Sequence, residues 1–168
     1  RVHEILNENN QLDFIEEFKD DKYTLVAGST WKEDEALLVH YINHKASPEE
    51  RFIIAPHNIE ENGIARLKKE LQVPAVLYSQ REDKSLKDFQ VFIVDTIGIL
   101  TKIYSVADIA YVGGGYTKSG IHNILEPTTF GVPVVIGPNY KKFKEAHDLI
   151  ALKACTTTSN QFEVNRVL

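Results

Sequence analysis

The chain has 168 residues, 43% hydrophobic and 26% charged, with a net charge of -5. That length supports one domain with a proper core, and the acidic balance argues against broad nucleic-acid binding, which needs a basic face. The single cysteine, Cys155, excludes an internal disulfide framework and suits a reducing compartment. No apolar run is long enough to cross a bilayer, and no signal-peptide pattern opens the chain. Because it begins at Arg1 and contains no Met, the expectation is an excised piece of a longer protein. Residues 1–21 would form a lead-in between domains, and 22–168 a domain truncated at both ends.

In chain order, Leu12, Phe14, Ile15 and Phe18 predict one short helix in the lead-in. Tyr23–Ala27 is an apolar strand. Gly28-Ser29-Thr30 then reads as a turn, with Ser29 or Thr30 capping a helix over about 33–43. Leu37, Leu38, Tyr41 and Ile42 share one face of that helix. Arg51–Ala55 is a second strand ending in the turn Pro56-His57-Asn58. Ile64, Leu67 and Leu71 recur at helical spacing, 73–78 is a third strand and 80–88 a charged loop. Val91–Val94 is the fourth strand, and 97–106 a helix with Leu100, Ile103 and Tyr104 inward. Ile109–Val112 runs as a fifth strand into Gly113-Gly114-Gly115. A short helix over 125–130 ends at Gly131. A sixth strand (134–136), a helix marked by Phe143, Ala146 and Ile150, a short edge strand (155–157) and a helix from Gln161 complete the chain.

Strands and helices alternate, and the strands are short apolar runs. The pattern is an α/β, doubly wound parallel sheet (Rossmann-like) of about six strands with helices on both faces. Ligands of such sheets bind beyond the carboxyl ends of the strands. There the sequence places Gly28-Ser29-Thr30, Pro56-His57-Asn58, Asp95-Thr96-Ile97-Gly98, the glycine triplet with His122, Asn123 and Glu126, and Gly137-Pro138-Asn139.

Glycines let backbone approach a ligand, and a helix start directs N–H groups and positive charge at it. Residues 113–126 therefore read as an anion site, most naturally for a phosphate. Glu126 has two readings of equal weight: a carboxylate favoured in a helix's first turn, or an acceptor for two vicinal ribose hydroxyls. Asn123 either caps that helix or reaches a phosphate oxygen. His122, Lys118 and the glycines Gly113, Gly114 and Gly115 are further loop or phosphate contacts. His40 and His44 have metal-pair spacing but no third ligand, so no metal site is expected. Counting from Gly113, the sixth position of a dinucleotide glycine motif is Lys118, so that pattern breaks, and a Walker lysine motif and a nucleophile elbow are missing. The residues describe a nucleotide cradle more than a self-sufficient catalytic centre.

The series GST at 28, PHN at 56, DTIG at 95, ADIAYVGGG at 107, HNILEP at 122 and GVPVVIGPNYKKF from 131 resembles the 3-deoxy-D-manno-octulosonic acid (Kdo) transferases of bacterial lipopolysaccharide synthesis. The likeness covers about 23–154. It implies the C-terminal half of a two-domain GT-B glycosyltransferase whose C-terminal domain binds the donor CMP-Kdo, while an N-terminal domain outside this sequence holds the lipid A precursor and the catalytic carboxylate. By position, the family's CMP contacts fall on Pro56 and His57, on Ile97, Gly98 and Ile99, and on Asn123, Ile124, Leu125 and Glu126. His57 stands where the family commonly has Arg, and Ile99 where it commonly has Glu. The resemblance also implies no metal or other cofactor, no catalytic residue in this stretch and weak CMP binding by it alone. The whole protein would work at the cytoplasmic face of the Gram-negative inner membrane. A UDP-sugar enzyme of the same architecture, or a non-catalytic module binding a phospholigand or partner, are the competing readings.

Overall fold

The computed structural model describes residues 2–7 and 9–168. Seven parallel strands form one sheet in the order β3-β4-β2-β1-β5-β6-β7. They are β1 (Tyr23–Thr30), β2 (Glu50–Pro56), β3 (Ala75–Leu77), β4 (Val91–Ile93), β5 (Ile109–Val112), β6 (Val134–Ile136) and β7 (Cys155–Thr157). The count is one more than the six full strands expected, because the short edge strand over 155–157 pairs in register with β6. The helices are α1 (Val2–Asn7), α2 (Asp13–Lys19), α3 (Lys32–His44), α4 (Glu61–Glu70), α5 (Leu100–Ile103), α6 (Leu125–Thr129), α7 (Lys144–Ala151) and α8 (Gln161–Val167).

The apolar runs explain the double winding. Successive residues of one strand point to opposite faces. Val26, Ile53, Phe92, Ala110 and Val134 therefore join one core with Ile15, Phe18, Ile103, Tyr104 and Ala146. Leu25, Ala27, Phe52, Ile54, Tyr111 and Val135 join the other with Leu38, Tyr41, Ile42, Ile64 and Leu67. Each face is thereby covered by helices.

Four local expectations are corrected. The first strand runs on through Gly28 to Thr30, with an irregular register at Ser29, whose φ is +53°. Neither Ser29 nor Thr30 caps α3; Trp31 precedes it, and the Trp31 N–H donates to the Asp34 carboxylate at 2.8 Å. The helix expected over 97–106 begins only at Leu100 and tightens into a 3-10 turn at Tyr104–Val106. Gly98, at φ +94°, belongs to the turn before it. The third strand likewise contracts to 75–77 because Tyr78–Gln80 is a 3-10 turn.

The lead-in contains two helices rather than one. Ile15 and Phe18 of α2 are fully buried, and Phe18 meets Phe92 edge-on at 5.5 Å. Phe18→Ala is expected to cost about 3–5 kcal/mol, the range for truncating a buried aromatic. Denaturant unfolding measures it, and a loss below about 1 kcal/mol would show that α2 is dispensable to the core.

Candidate functional site

The chain leaves β1 toward β2 on one side and places β5 on the other, so loops after β1 and β5 diverge at a switch point. Hydrogen bonds lace the loops there. The Gly113 N–H donates to the Gly28 carbonyl at 2.9 Å, the His57 N–H to the Thr30 carbonyl at 2.9 Å, and the His122 N–H to the Gly113 carbonyl at 3.0 Å.

This lacing brings three rings together at the rim. Trp31 stacks on His57 with ring centroids 4.8 Å apart, and His57 stacks on His122 at 4.4 Å. The Trp31 indole N–H donates to His122 Nε2 at 2.7 Å. An indole nitrogen only donates, so His122 Nε2 carries no proton and its hydrogen sits on Nδ1. Burial, with the His57 ring beside it, pushes the His122 pKa below the usual histidine range. Trp31, which the sequence reading passes over, stacks on the candidate residue His57. Its position immediately after a strand's carboxyl end is the available signal.

Beneath the rings lies Asp34, fully buried. Its Oδ1 accepts from the Tyr111 hydroxyl at 2.5 Å, and its Oδ2 from the N–H groups of Trp31 at 2.8 Å and Gly114 at 3.1 Å. Burial raises the Asp34 pKa while these three bonds oppose the rise. Next along the helix, Glu35 accepts from the Thr30 hydroxyl and from Arg66, both at 2.8 Å.

The glycine triplet owes much of its character to backbone packing. A Cβ at Gly113 would lie 2.2 Å from the Ser29 carbonyl oxygen, and one at Gly115 would lie 2.6 Å from the Gly137 nitrogen. The N–H groups of Gly113 and Gly114 are already engaged, the first by Gly28 and the second by Asp34. The Leu125 N–H at the start of α6 is also engaged, by the Asn123 side-chain oxygen at 2.8 Å. The N-cap position itself is Ile124, which makes no side-chain cap bond, so Asn123 serves the helix start from one residue further out. Two glycine amides and one helix-terminal amide expected to face a phosphate are thus committed within the protein.

Pro56, His57, Ile97 and Gly98 do converge. With Ser29, Thr96 and Leu100 they line a cavity of about 170 Å³. Ile97 is 83% exposed at its lip. Ile99 precedes α5 and packs against the core. Ile124 is buried, Leu125 is exposed, and Glu126 lies half-buried in the first turn of α6. Asn123, Ile124, Leu125 and Glu126 are not among the residues lining that cavity; the Glu126 charge acts on the fully buried Tyr104, whose hydroxyl pKa it raises after burial itself. The Tyr104 hydroxyl lies where a Cβ of Gly28 would be, at 1.9 Å. Lys118 is placed apart, lining another hollow with Gly120, Pro138 and Asn139. His40 and His44 lie 4.7 Å apart on α3, but among the described residues no group of three or more His, Cys, Asp or Glu could hold a metal ion. No described helix is long and apolar enough to cross a membrane.

No family model matches the chain. It is 32% identical over 170 residues to a 3-deoxy-D-manno-octulosonic acid transferase of Chlamydophila psittaci, covering 96% of this chain and 38% of that protein. It is 34% identical over 134 residues to a transferase of the same name from Haemophilus influenzae, covering 76% and 30% respectively. A bifunctional glycosyltransferase/methyltransferase of Fusobacterium nucleatum is 37% identical over 120 residues, 70% of this chain and 18% of that protein. Among solved structures, the C-terminal CMP-Kdo binding domain of WaaA from Acinetobacter baumannii superposes with a TM-score of 0.76 at 23% identity, covering 94% of this chain and 88% of that one. That likeness establishes the shared fold. The chain spans well under half the length of these curated relatives.

Trp31 is the only tryptophan, so intrinsic fluorescence reports on the ring stack. A base whose pKa is depressed by folding favours the neutral form. Its stabilisation is therefore full above the ordinary histidine pKa and lost as pH falls through the depressed value. Acid titration should change Trp31 emission with a midpoint below about 6.5. His57→Phe should move that midpoint upward, and His122→Phe should remove the transition. An identical transition in His122→Phe would mean that another group is responsible.

Proposed function

We infer that this chain, which belongs to the Kdo transferase family, forms the donor-binding part of a glycosyltransferase. The donor would be CMP-Kdo and the acceptor a lipid A precursor. The observation that carries this reading is the cavity at the sheet's carboxyl edge. Pro56, His57, Ile97 and Gly98, assigned to CMP from sequence, line it together, in a chain matched to Kdo transferases over 96% of its length.

In this reading the nucleotide lies across the loops after β2 and β4. Its base would rest against the apolar lip at Pro56 and Ile97, beside the His57 ring. Glu126 would accept from the two ribose hydroxyls with its two carboxylate oxygens. The Asn123 Nδ2 group, whose oxygen partner already fixes its orientation, would donate to the phosphate together with His57. As the bond from phosphate oxygen to the anomeric carbon breaks, negative charge grows on the departing CMP. Donors fixed in advance by the loop lacing stabilise that charge without reorganising. The general base that takes the acceptor's proton would belong to the N-terminal domain of the whole protein, which would act at the cytoplasmic face of the inner membrane. This domain alone would bind CMP weakly and transfer nothing, because only one wall of the cleft is present.

Two measurements test the reading. CMP added to this chain should perturb backbone resonances of 57, 96–99 and 123–126, and should do so at lower concentration than UDP. A stronger response to UDP would favour a UDP-sugar enzyme, and perturbations confined to other loops would remove the proposed site. In a complete Kdo transferase carrying this sequence, Glu126→Ala should lower kcat/KM for CMP-Kdo by about tenfold to a hundredfold, the loss of one or two hydrogen bonds to a charged acceptor. Unchanged kinetics would exclude Glu126 from donor binding.

A further inference from the structure

A second hollow shares no lining residue with the proposed nucleotide cavity. It measures about 570 Å³ and is lined by Lys118, Gly120, Pro138, Asn139, Lys141 and Lys142. Its walls are held by hydrogen bonds. The Asn139 N–H donates to the Gly115 carbonyl at 2.8 Å, the Ile121 N–H to the Asn139 carbonyl at 3.2 Å, and Asn139 Nδ2 to the Thr117 carbonyl at 2.7 Å. Gly120 closes the turn at φ +84°, where a Cβ would lie 2.7 Å from the Phe143 ring. Neither wall can therefore slide away without breaking these contacts.

Three lysines thus surround one hollow in a chain with 24 acidic and 19 basic side chains. Ion pairs elsewhere use Lys19, Lys22, Arg66 and Lys144; none of those described involves Lys118, Lys141 or Lys142. All three are exposed, with the Lys142 Nζ 5.7 Å from the Phe143 ring centroid, and a bound anion would offset the repulsion among their charges. A hollow of this size admits a substituted phosphate, with lysine ammonium groups as flexible point-charge donors.

We propose that this hollow is a second anion site, separate from the nucleotide cavity, that binds a phosphate monoester group. The proposal stands independently of the CMP assignment, since the two hollows share no lining residue.

The test uses this chain and isotope-edited NMR with three probes at constant ionic strength: inorganic phosphate, glucose 1-phosphate, and vesicles of phosphatidylcholine with or without phosphatidic acid. Phosphate or its ester should perturb 118–121 and 139–142, with binding weakened at least about tenfold in the K141Q/K142Q variant. The CMP response at 57 and 96–99 should be the same in variant and parent, so failure here and failure of the donor reading are separable. Glucose 1-phosphate binding without vesicle retention identifies a soluble ester. Retention only on phosphatidic-acid vesicles identifies a lipid headgroup. The proposal is overturned if chloride reproduces the shifts, if the double variant binds like the parent, or if no probe perturbs these residues. Thermal unfolding of the variant, expected to match the parent, confirms that the exposed lysines were not supporting the fold.

Discussion

One buried carboxylate organises the carboxyl edge of this sheet. Asp34 has no solvent exposure, yet it accepts bonds from a helix start, a strand end and the glycine loop. All three partners are donors, so an ionised carboxylate satisfies them without a proton of its own. The cost is desolvation, which is why the carboxyl pKa rises despite the bonds. Removing the side chain would leave the Tyr111 hydroxyl and two backbone N–H groups buried and unpaired, a penalty of about 1–3 kcal/mol for each. The same bonds fix where Trp31 and Gly114 stand.

The glycines follow from that constraint. With loop held against helix and strand, the backbone of 113–115 passes too close to Ser29 and to Gly137 for any Cβ. Gly28 has a comparable role on the neighbouring strand, leaving the space that the Tyr104 hydroxyl occupies. Leu100 and Tyr104 both pack against Gly28 of the first strand, and the Glu126 charge at the start of α6 is felt at Tyr104. A glycine-rich edge of this kind is first a device for bringing loops close; any ligand uses the surface that the closeness creates.

That distinction also separates what the sequence discloses from what it does not. Short apolar runs punctuated by Gly, Pro and Asn point to the parallel sheet, since strands buried on both faces have little freedom of composition. The rim positions follow from strand ends alone, and Pro56, His57, Ile97 and Gly98 do share a cavity. The consumption of amides by the protein itself is not legible. Gly114 donating to Asp34 depends on a contact between residues 80 apart in sequence, and local pattern carries no trace of such pairing. The helix start before Leu100 is misplaced for a related reason. Ile97 reads as the first helical residue but stands exposed at the lip, and a positive φ at Gly98 turns the chain away before the helix begins.

Charge is divided across the glycine loop in a way that bears on recognition. On one side the rings of Trp31, His57 and His122 stack, and the indole N–H requires His122 to be neutral at Nε2. Protonating His122 would break that bond and set a cation against the neighbouring ring, so this wall offers aromatic surface and neutral donors. On the other side three lysines face a hollow without described acidic partners. A guanidinium at position 57 would have placed a permanent bidentate charge in the first region; the imidazole there stacks on Trp31 and His122. The two sides consequently favour different chemistry. On the aromatic side a nucleotide phosphate would be met by hydrogen-bond donors rather than ammonium groups, whereas the other hollow would meet an anion with exposed lysines.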